Sequence, residues 1–328
     1  MVSLVPVDSV EVLVLVDNIT DNLSSVHPFV ETEIAALGRR RRGAWVLSGG
    51  CLCCAAHGLS CLITTRIGSV NQTLLFDAGP EDQVFEQNVS RLGADLEAVR
   101  AIVLSHGHWD HGGAMLRALQ IIRDRNGGND IPFYAHPDMF RSRALKLPDG
   151  TMRFMEDVPD VQTLTSYGAR VVETTDPQLM LENTAYLSGE IARVSPFEMG
   201  LPGQHRRTRD GQAWELDELL MDERFVAVNV SDKGLIVFTA CSHAGVVNVL
   251  KHARRSIPDV PLFAVLGGLH LSGTNERVIP QTVEALREFD LSVIAAGHCT
   301  GWRAMTALAN AFSDSTLAPL SVGKRYTF

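Results

Sequence analysis

Three histidines and one aspartate, His106, His108, Asp110 and His111, crowd into the stretch Ser105-His106-Gly107-His108-Trp109-Asp110-His111-Gly112-Gly113. Imidazole nitrogen suits zinc, iron and manganese, and a carboxylate oxygen suits a second or shared ion. The residues before the cluster, Ala101-Ile102-Val103-Leu104, form a short apolar run of the kind that makes a buried strand. Those after it open with Gly112-Gly113 and then read as a helix over Ala114 to Arg123. A tight strand-to-helix loop lets several side chains converge on one point. A solvated polar loop is the plain alternative, but it does not require this spacing or these boundaries.

A site for two ions needs more donors than one loop supplies. His243 follows the apolar run Leu235-Ile236-Val237-Phe238-Thr239, and His298 follows Val293-Ile294-Ala295-Ala296. Both take the position of the first loop, the carboxyl end of a strand. His270 ends another apolar run, Leu266-Gly267-Gly268-Leu269; it reads as a ligand, a proton donor to a leaving group or a substrate contact, against a core histidine. His27, His136, His205 and His252 have no convergent context. Neither a Gly-x-Ser-x-Gly elbow nor a Gly-Lys-Ser/Thr phosphate loop occurs, so the chemistry is expected from metal.

His106-Gly107-His108-Trp109-Asp110-His111 resembles the signature loop of the metallo-β-lactamase superfamily of metal-dependent hydrolases. Val16-Asp17-Asn18, His57-Gly58-Leu59-Ser60, Leu75-Phe76-Asp77-Ala78-Gly79, Cys241-Ser242-His243-Ala244-Gly245, Gly267-Gly268-Leu269-His270-Leu271 and Gly297-His298-Cys299-Thr300-Gly301 extend the likeness along the chain. Together they resemble the branch of dihydropterin-methyl-(ribofuranosyl)aminobenzene-phosphate synthase-like proteins. The resemblance implies an α/β (α+β) architecture, an αββα sandwich with the metal site at the sheet edge. It implies one or two divalent ions, zinc first and iron or manganese as alternatives. His106, His108 and His243 would hold one ion, and Asp110, His111 and His298 the other. Asp110 would orient the nucleophile, and His270 would serve the leaving-group side. Asp77 is expected to orient a ligand histidine through that ring's other N–H. His57 is expected in the substrate pocket.

One departure stands out. Many superfamily members place a Gly-Asp pair at a strand end to bridge the two ions, whereas this chain has Ala240-Cys241. A thiolate can coordinate, but the turn that projects His243 inward is expected to aim Cys241 elsewhere, behind the ligands. The histidine usual upstream of that strand is also not evident; Ser188-Gly189-Glu190 stands there.

The elements that must position these residues read as β-hairpins mixed with helices, suggesting two mixed sheets packed together with helices outside. Ser60 to Ile67 and Gln72 to Phe76 read as a hairpin, as do Phe225 to Val230 and Leu235 to Thr239. Helices are expected over Phe29–Leu37, Pro80–Leu92 and Met139–Ala144, with strand and helix alternating beyond 244. The reading is one domain over 1–328, with insertions near 18–56, 146–166 and 195–221; the second of these is a candidate cover for the site.

The 328 residues, 45% hydrophobic, supply ample core. A net charge of −9 argues against nucleic acid or an anionic membrane as main partner. The run Arg39-Arg40-Arg41-Arg42 reads as a solvated loop. Cysteines at 51, 53, 54 and 61 lie too close for a disulfide framework, which suits reduced thiols in a cytoplasmic protein. Asp8 and Glu11 interrupt the apolar start, so neither a signal peptide nor a membrane helix is expected there. The partner is then a small-molecule substrate, with a homodimer left open. A metal ion lowers the pKa of bound water from near 16 toward roughly 7. The expected activity is metal-dependent hydrolysis of an ester, lactone, phosphoester or sulfate ester. The rivals are iron-dependent oxidation or C–N bond formation on the same fold, and a binding protein with a silent metal site.

Overall fold

The computed structural model describes residues 3–41 and 43–328, so Arg42 of the arginine run lies outside the described residues. The strand Ser9–Val16 shows why apolar runs without alternation arise here. Val10, Val12 and Val14 face one core, and Leu13 and Leu15 face another. A strand covered on both faces has no polar side to keep.

The first sheet has eight strands, in the order Val30–Glu31, Arg325–Thr327, Ser9–Val16, Ser60–Ile67, Val70–Phe76, Val99–Val103, Ile131–Ala135 and Ala169–Glu173. The second has six: Gln178–Met180, Ala185–Leu187, Phe225–Val230, Gly234–Thr239, Leu262–Gly268 and Val293–Gly297. The sheets meet through Val12, Leu74, Phe76 and Val103 on one side and Val228, Ile236, Phe238 and Leu266 on the other. Helices Asp82–Leu92 and Met115–Arg125 cover the outer face of the first sheet through Phe85, Val89, Leu119 and Ile122. Helices Val246–Ser256, Ile279–Arg287 and Trp302–Ala311 cover that of the second through Val249, Leu250, Leu286 and Leu308. The layers are therefore α, β, β, α, as expected.

Val70–Phe76, Val99–Val103 and Ile131–Ala135 run parallel, as do Gly234–Thr239, Leu262–Gly268 and Val293–Gly297. The carboxyl ends of parallel strands face one way, and their loops form the crevice where open α/β sheets hold ligands. Asp77, the 105–111 loop, Cys241, His243, His270 and His298 all follow such ends.

Two local expectations need correction. Phe29–Leu37 is not one helix: Val30–Glu31 joins the edge of the first sheet, and the helix is Glu33–Arg40, capped by Thr32. The 18–56 segment is thus partly tied down, with the buried Glu33 accepting the Cys53 N–H at 2.6 Å. Met139–Ala144 is not helical either. A 3-10 turn, Pro137–Phe140, leads into the strand Arg143–Lys146, which pairs with Gln204–Arg207. This pairing creates a third sheet, Trp214–Leu216, Gln204–Arg207, Arg143–Lys146 and Met152–Phe154, in which strands from the segments read as insertions at 146–166 and 195–221 join one that precedes them. No helix among the described residues is long and apolar enough to cross a membrane.

Candidate metal centre

Val99–Val103 delivers Ser105 and His106 into the crevice, and His108 precedes a single helical turn, Trp109–Gly112, that presents Asp110 and His111. Close backbone packing makes this loop possible. A Cβ on Gly107 would stand 2.3 Å from the Met139 carbonyl oxygen, and one on Gly113 would stand 1.9 Å from that of Pro80. Gly107→Ala is therefore expected to cost about 1–3 kcal/mol by overpacking and to lower metal content. Thermal unfolding and elemental analysis check both, and an unchanged melting temperature would count against the packing account.

Donor atoms from His106, His108 and His243 lie within 4.8 Å of one another, as do those of Asp110, His111 and His298. His106 Nε2 is 3.0 Å from His108 Nδ1. Asp110 Oδ2 is 3.6 Å from His111 Nε2 and 3.5 Å from His298 Nε2. The six residues read from sequence as ligands thus converge as two adjoining triads.

Asp77 braces both. Its carboxylate accepts from the Ser105 N–H at 2.7 Å, from Ser105 Oγ at 2.7 Å and from His111 Nδ1 at 2.8 Å. Ser105 Oγ in turn lies 2.9 Å from His106 Nδ1. His298 Nδ1 lies 3.0 Å from Asn18 Oδ1, and the His298 N–H donates to Asp17 at 2.9 Å. Each of His106, His111 and His298 spends its Nδ1 on such a partner, which leaves Nε2 as the lone pair facing inward.

The second sheet supplies matching supports. Glu223 accepts the His243 and Ala244 N–H groups at 2.7 and 2.6 Å. Glu198 accepts those of Val247 and Asn248, both at 2.8 Å, at the start of the next helix. Burial pushes both carboxyls up to about 7. Asp222 holds the Gly107 N–H at 2.9 Å and is itself held by Arg143 at 2.7 Å. Arg143 sits in the third sheet, so that sheet buttresses the 105–111 loop rather than merely decorating the surface. None of Asp222, Glu223, Glu198 and Arg143 was singled out from sequence. They lie in stretches without a motif, and nothing local marks a carboxylate that will bind a distant backbone.

His57 Nε2 stands 3.5 Å from Asp110 Oδ2 on the exposed side of the centre, and its ring lies 5.9 Å from that of Trp109. The His270 ring centroid is 4.2 Å from that of His243. His270 also lines a recess with Phe197, Met199, Leu271 and Asn275. Elsewhere, His136 Nε2 pairs with Glu190 at 3.2 Å, His27 meets the Leu317 carbonyl at 3.0 Å, and His252 packs edge-on to Phe225. These lie outside the cluster, and so does His205, bonded to the Gly203 carbonyl at 2.8 Å.

Cys241 overturns the expectation that it points away. Its Sγ is 3.3 Å from His111 Nε2, and it shares a donor group with His243 and His270. Ser242 is the reason. It adopts a left-handed φ of 57°, with its Oγ tied to Thr239 Oγ and the Gly268 carbonyl, both at 2.9 Å. The residues on either side of it both turn inward.

The donor chemistry fits divalent metal. His108 Nε2, both ring nitrogens of His243, and His298 Nε2 are buried without a hydrogen-bond partner. Each such orphan ordinarily costs about 1–3 kcal/mol; ions in the two triads would take up His108 Nε2, one ring nitrogen of His243 and His298 Nε2. Burial first, and neighbouring positive charge second, holds His106, His108 and His243 well below the usual imidazole range. Burial also dominates in lowering His298. Burial would lower His111 as well, but Asp110 and Asp77 override it and push that ring up to about 9.

The chain is an αββα sandwich with two triads of candidate metal donors in its crevice. Residues 72–164 match the model of the beta-lactamase superfamily domain, and the chain has the metallo-β-lactamase fold. A solved structure described as a metal-dependent hydrolase of the beta-lactamase superfamily superposes with a TM-score of 0.70 at 19% identity, covering 96% of this chain and 98% of that one. The 7,8-dihydropterin-6-methyl-4-(beta-D-ribofuranosyl)-aminobenzene-5'-phosphate synthase of Methanocaldococcus jannaschii is 29% identical over 261 residues, which is 79% of this chain and 85% of that protein. An uncharacterized protein of the same organism is 26% identical over 260 residues, covering 78% and 88%.

Proposed function

We propose that the chain is a metal-dependent hydrolase, with one ion on His106, His108 and His243 and a second on Asp110, His111 and His298. The observation that carries this reading is the convergence of unpartnered buried imidazole nitrogens on the two triads. Ions held there would polarise a substrate oxygen and supply a nucleophile from water at neutral pH. The chain's own groups do the rest. Asp110 orients the nucleophile and carries its proton, its Oδ2 facing His111, His298 and His57 at 3.5–3.6 Å. His57, more than half exposed, contacts substrate at the rim. His270 stands between the centre and the recess with Nδ1 unpartnered, placed to protonate a leaving group. Its side chain is only partly buried, so a bound small molecule can reach it. An ester, lactone, phosphoester or sulfate ester suits this arrangement.

A second reading has its own support. The synthase-named relative favours C–N bond formation between a pterin-type and an arylamine-type substrate. Zinc-loaded protein and a panel of lactones, phosphoesters and sulfate esters in 18O-water separate the two. Hydrolysis puts solvent oxygen into a product of one substrate acting alone. Turnover that requires an added arylamine, with no label in the carbon product, would replace hydrolysis with synthesis.

A further inference from the structure

Resting on the metal-centre reading above, we propose that Cys241 is itself a ligand, its thiolate bridging the two ions. Its Sγ lies within 4.8 Å of donor atoms from His106 and His243 in the first triad, and of donor atoms from His111 and His298 in the second. The sulfur therefore stands between the triads rather than behind either. It is 2% exposed, and the neighbouring nitrogens of His243 and His298 are buried and unpartnered, aimed into the same space. The left-handed Ser242, pinned at both ends of its hydroxyl, holds Cys241 and His243 in this orientation.

The geometry of sulfur suits the role. Two metal–sulfur bonds of about 2.3 Å span ions up to about 4 Å apart, which covers the separation of two-metal sites, about 3.5–4 Å. On coordination the S–H bond breaks, the metal–sulfur bonds form and the proton leaves to solvent. Cys241 then takes the position that a bridging carboxylate fills elsewhere in the superfamily. A soft thiolate there selects zinc or iron over magnesium or manganese. Cys299 is a different case. Its sulfur donates to the Cys241 carbonyl at 3.5 Å and groups with His298 and Cys241, with no first-triad donor.

X-ray absorption on the full chain loaded with two equivalents of zinc tests this directly. The expected spectrum shows about one sulfur per zinc at about 2.3 Å, since a bridging sulfur is seen by both ions. Cys299→Ser should keep that signal and Cys241→Ser should lose it, while Cys241→Asp should still bind two ions. Half a sulfur per zinc means a terminal ligand and overturns the bridge. Two bound zinc ions without sulfur overturn the proposal and leave the metal centre standing. Failure to bind zinc at all removes the centre, and this inference with it. The wild-type spectrum decides even if a variant does not fold.

Discussion

His106→Ala is expected to lower turnover by about 10²–10⁴-fold. Lewis-acid stabilisation by a bound ion is worth several kcal/mol, and each 1.36 kcal/mol is tenfold in rate. His106 donates one of three atoms to the first triad, touches His108 at 3.0 Å, and is fully buried. Its removal leaves His108 and His243 with too few donors to hold an ion tightly. The sheets should survive, because their core is built from Val12, Phe76, Ile236 and Leu266 and not from the loop. Kinetics, elemental analysis and circular dichroism on the same sample check the three parts. A variant that keeps full metal and full activity would end the proposed function.

The sequence made the crevice legible because its candidate donors sit at points where apolar strands stop. His243 and His298 could be set at the same kind of strand end as a loop more than a hundred residues away, and the family resemblance then divided them between two ions. Asp77 was legible for the same reason, although its simultaneous hold on Ser105 and His111 was not. Cys241 is not legible in the same way, because whether it turns inward beside His243 depends on the backbone of Ser242 between them. Its left-handed φ is a tertiary choice, made by the Gly268 carbonyl and Thr239 across the sheet. The third sheet was missed because Arg143–Lys146 and Gln204–Arg207 carry charge where a strand usually carries apolar residues. Ion pairs stand in for packing there. Arg143 meets Asp217 at 3.1 Å, and Arg206 meets Asp138 at 2.9 Å. Such pairings join residues some 70 positions apart and leave no periodic trace.

The two ion positions should separate with pH. In the metal-free protein the burial of His111 is outweighed by Asp110 and Asp77, which raise its pKa to about 9. A group raised above its unfolded value, about 6.5 for histidine, stabilises the fold below that value and loses the contribution as pH rises through about 9. The same proton competes with metal, because a ligand imidazole must be neutral. Affinity for the ion on Asp110, His111 and His298 should therefore rise about tenfold per pH unit between 7 and 9. In Cys241→Asp, which has no thiol proton to displace, the ion on His106, His108 and His243 should show little slope over that range, because burial already keeps those rings neutral. Acidification from pH 9 should then release the second ion first, an effect of about 100-fold in affinity over two units. Competition titration with a chromogenic chelator, run from pH 6.5 to 9.5, measures both slopes. Asp77→Asn removes one of the two charges that hold the proton, so it should flatten the steeper slope. Equal slopes at the two positions in Cys241→Asp would show that His111 does not carry a proton the ion must displace.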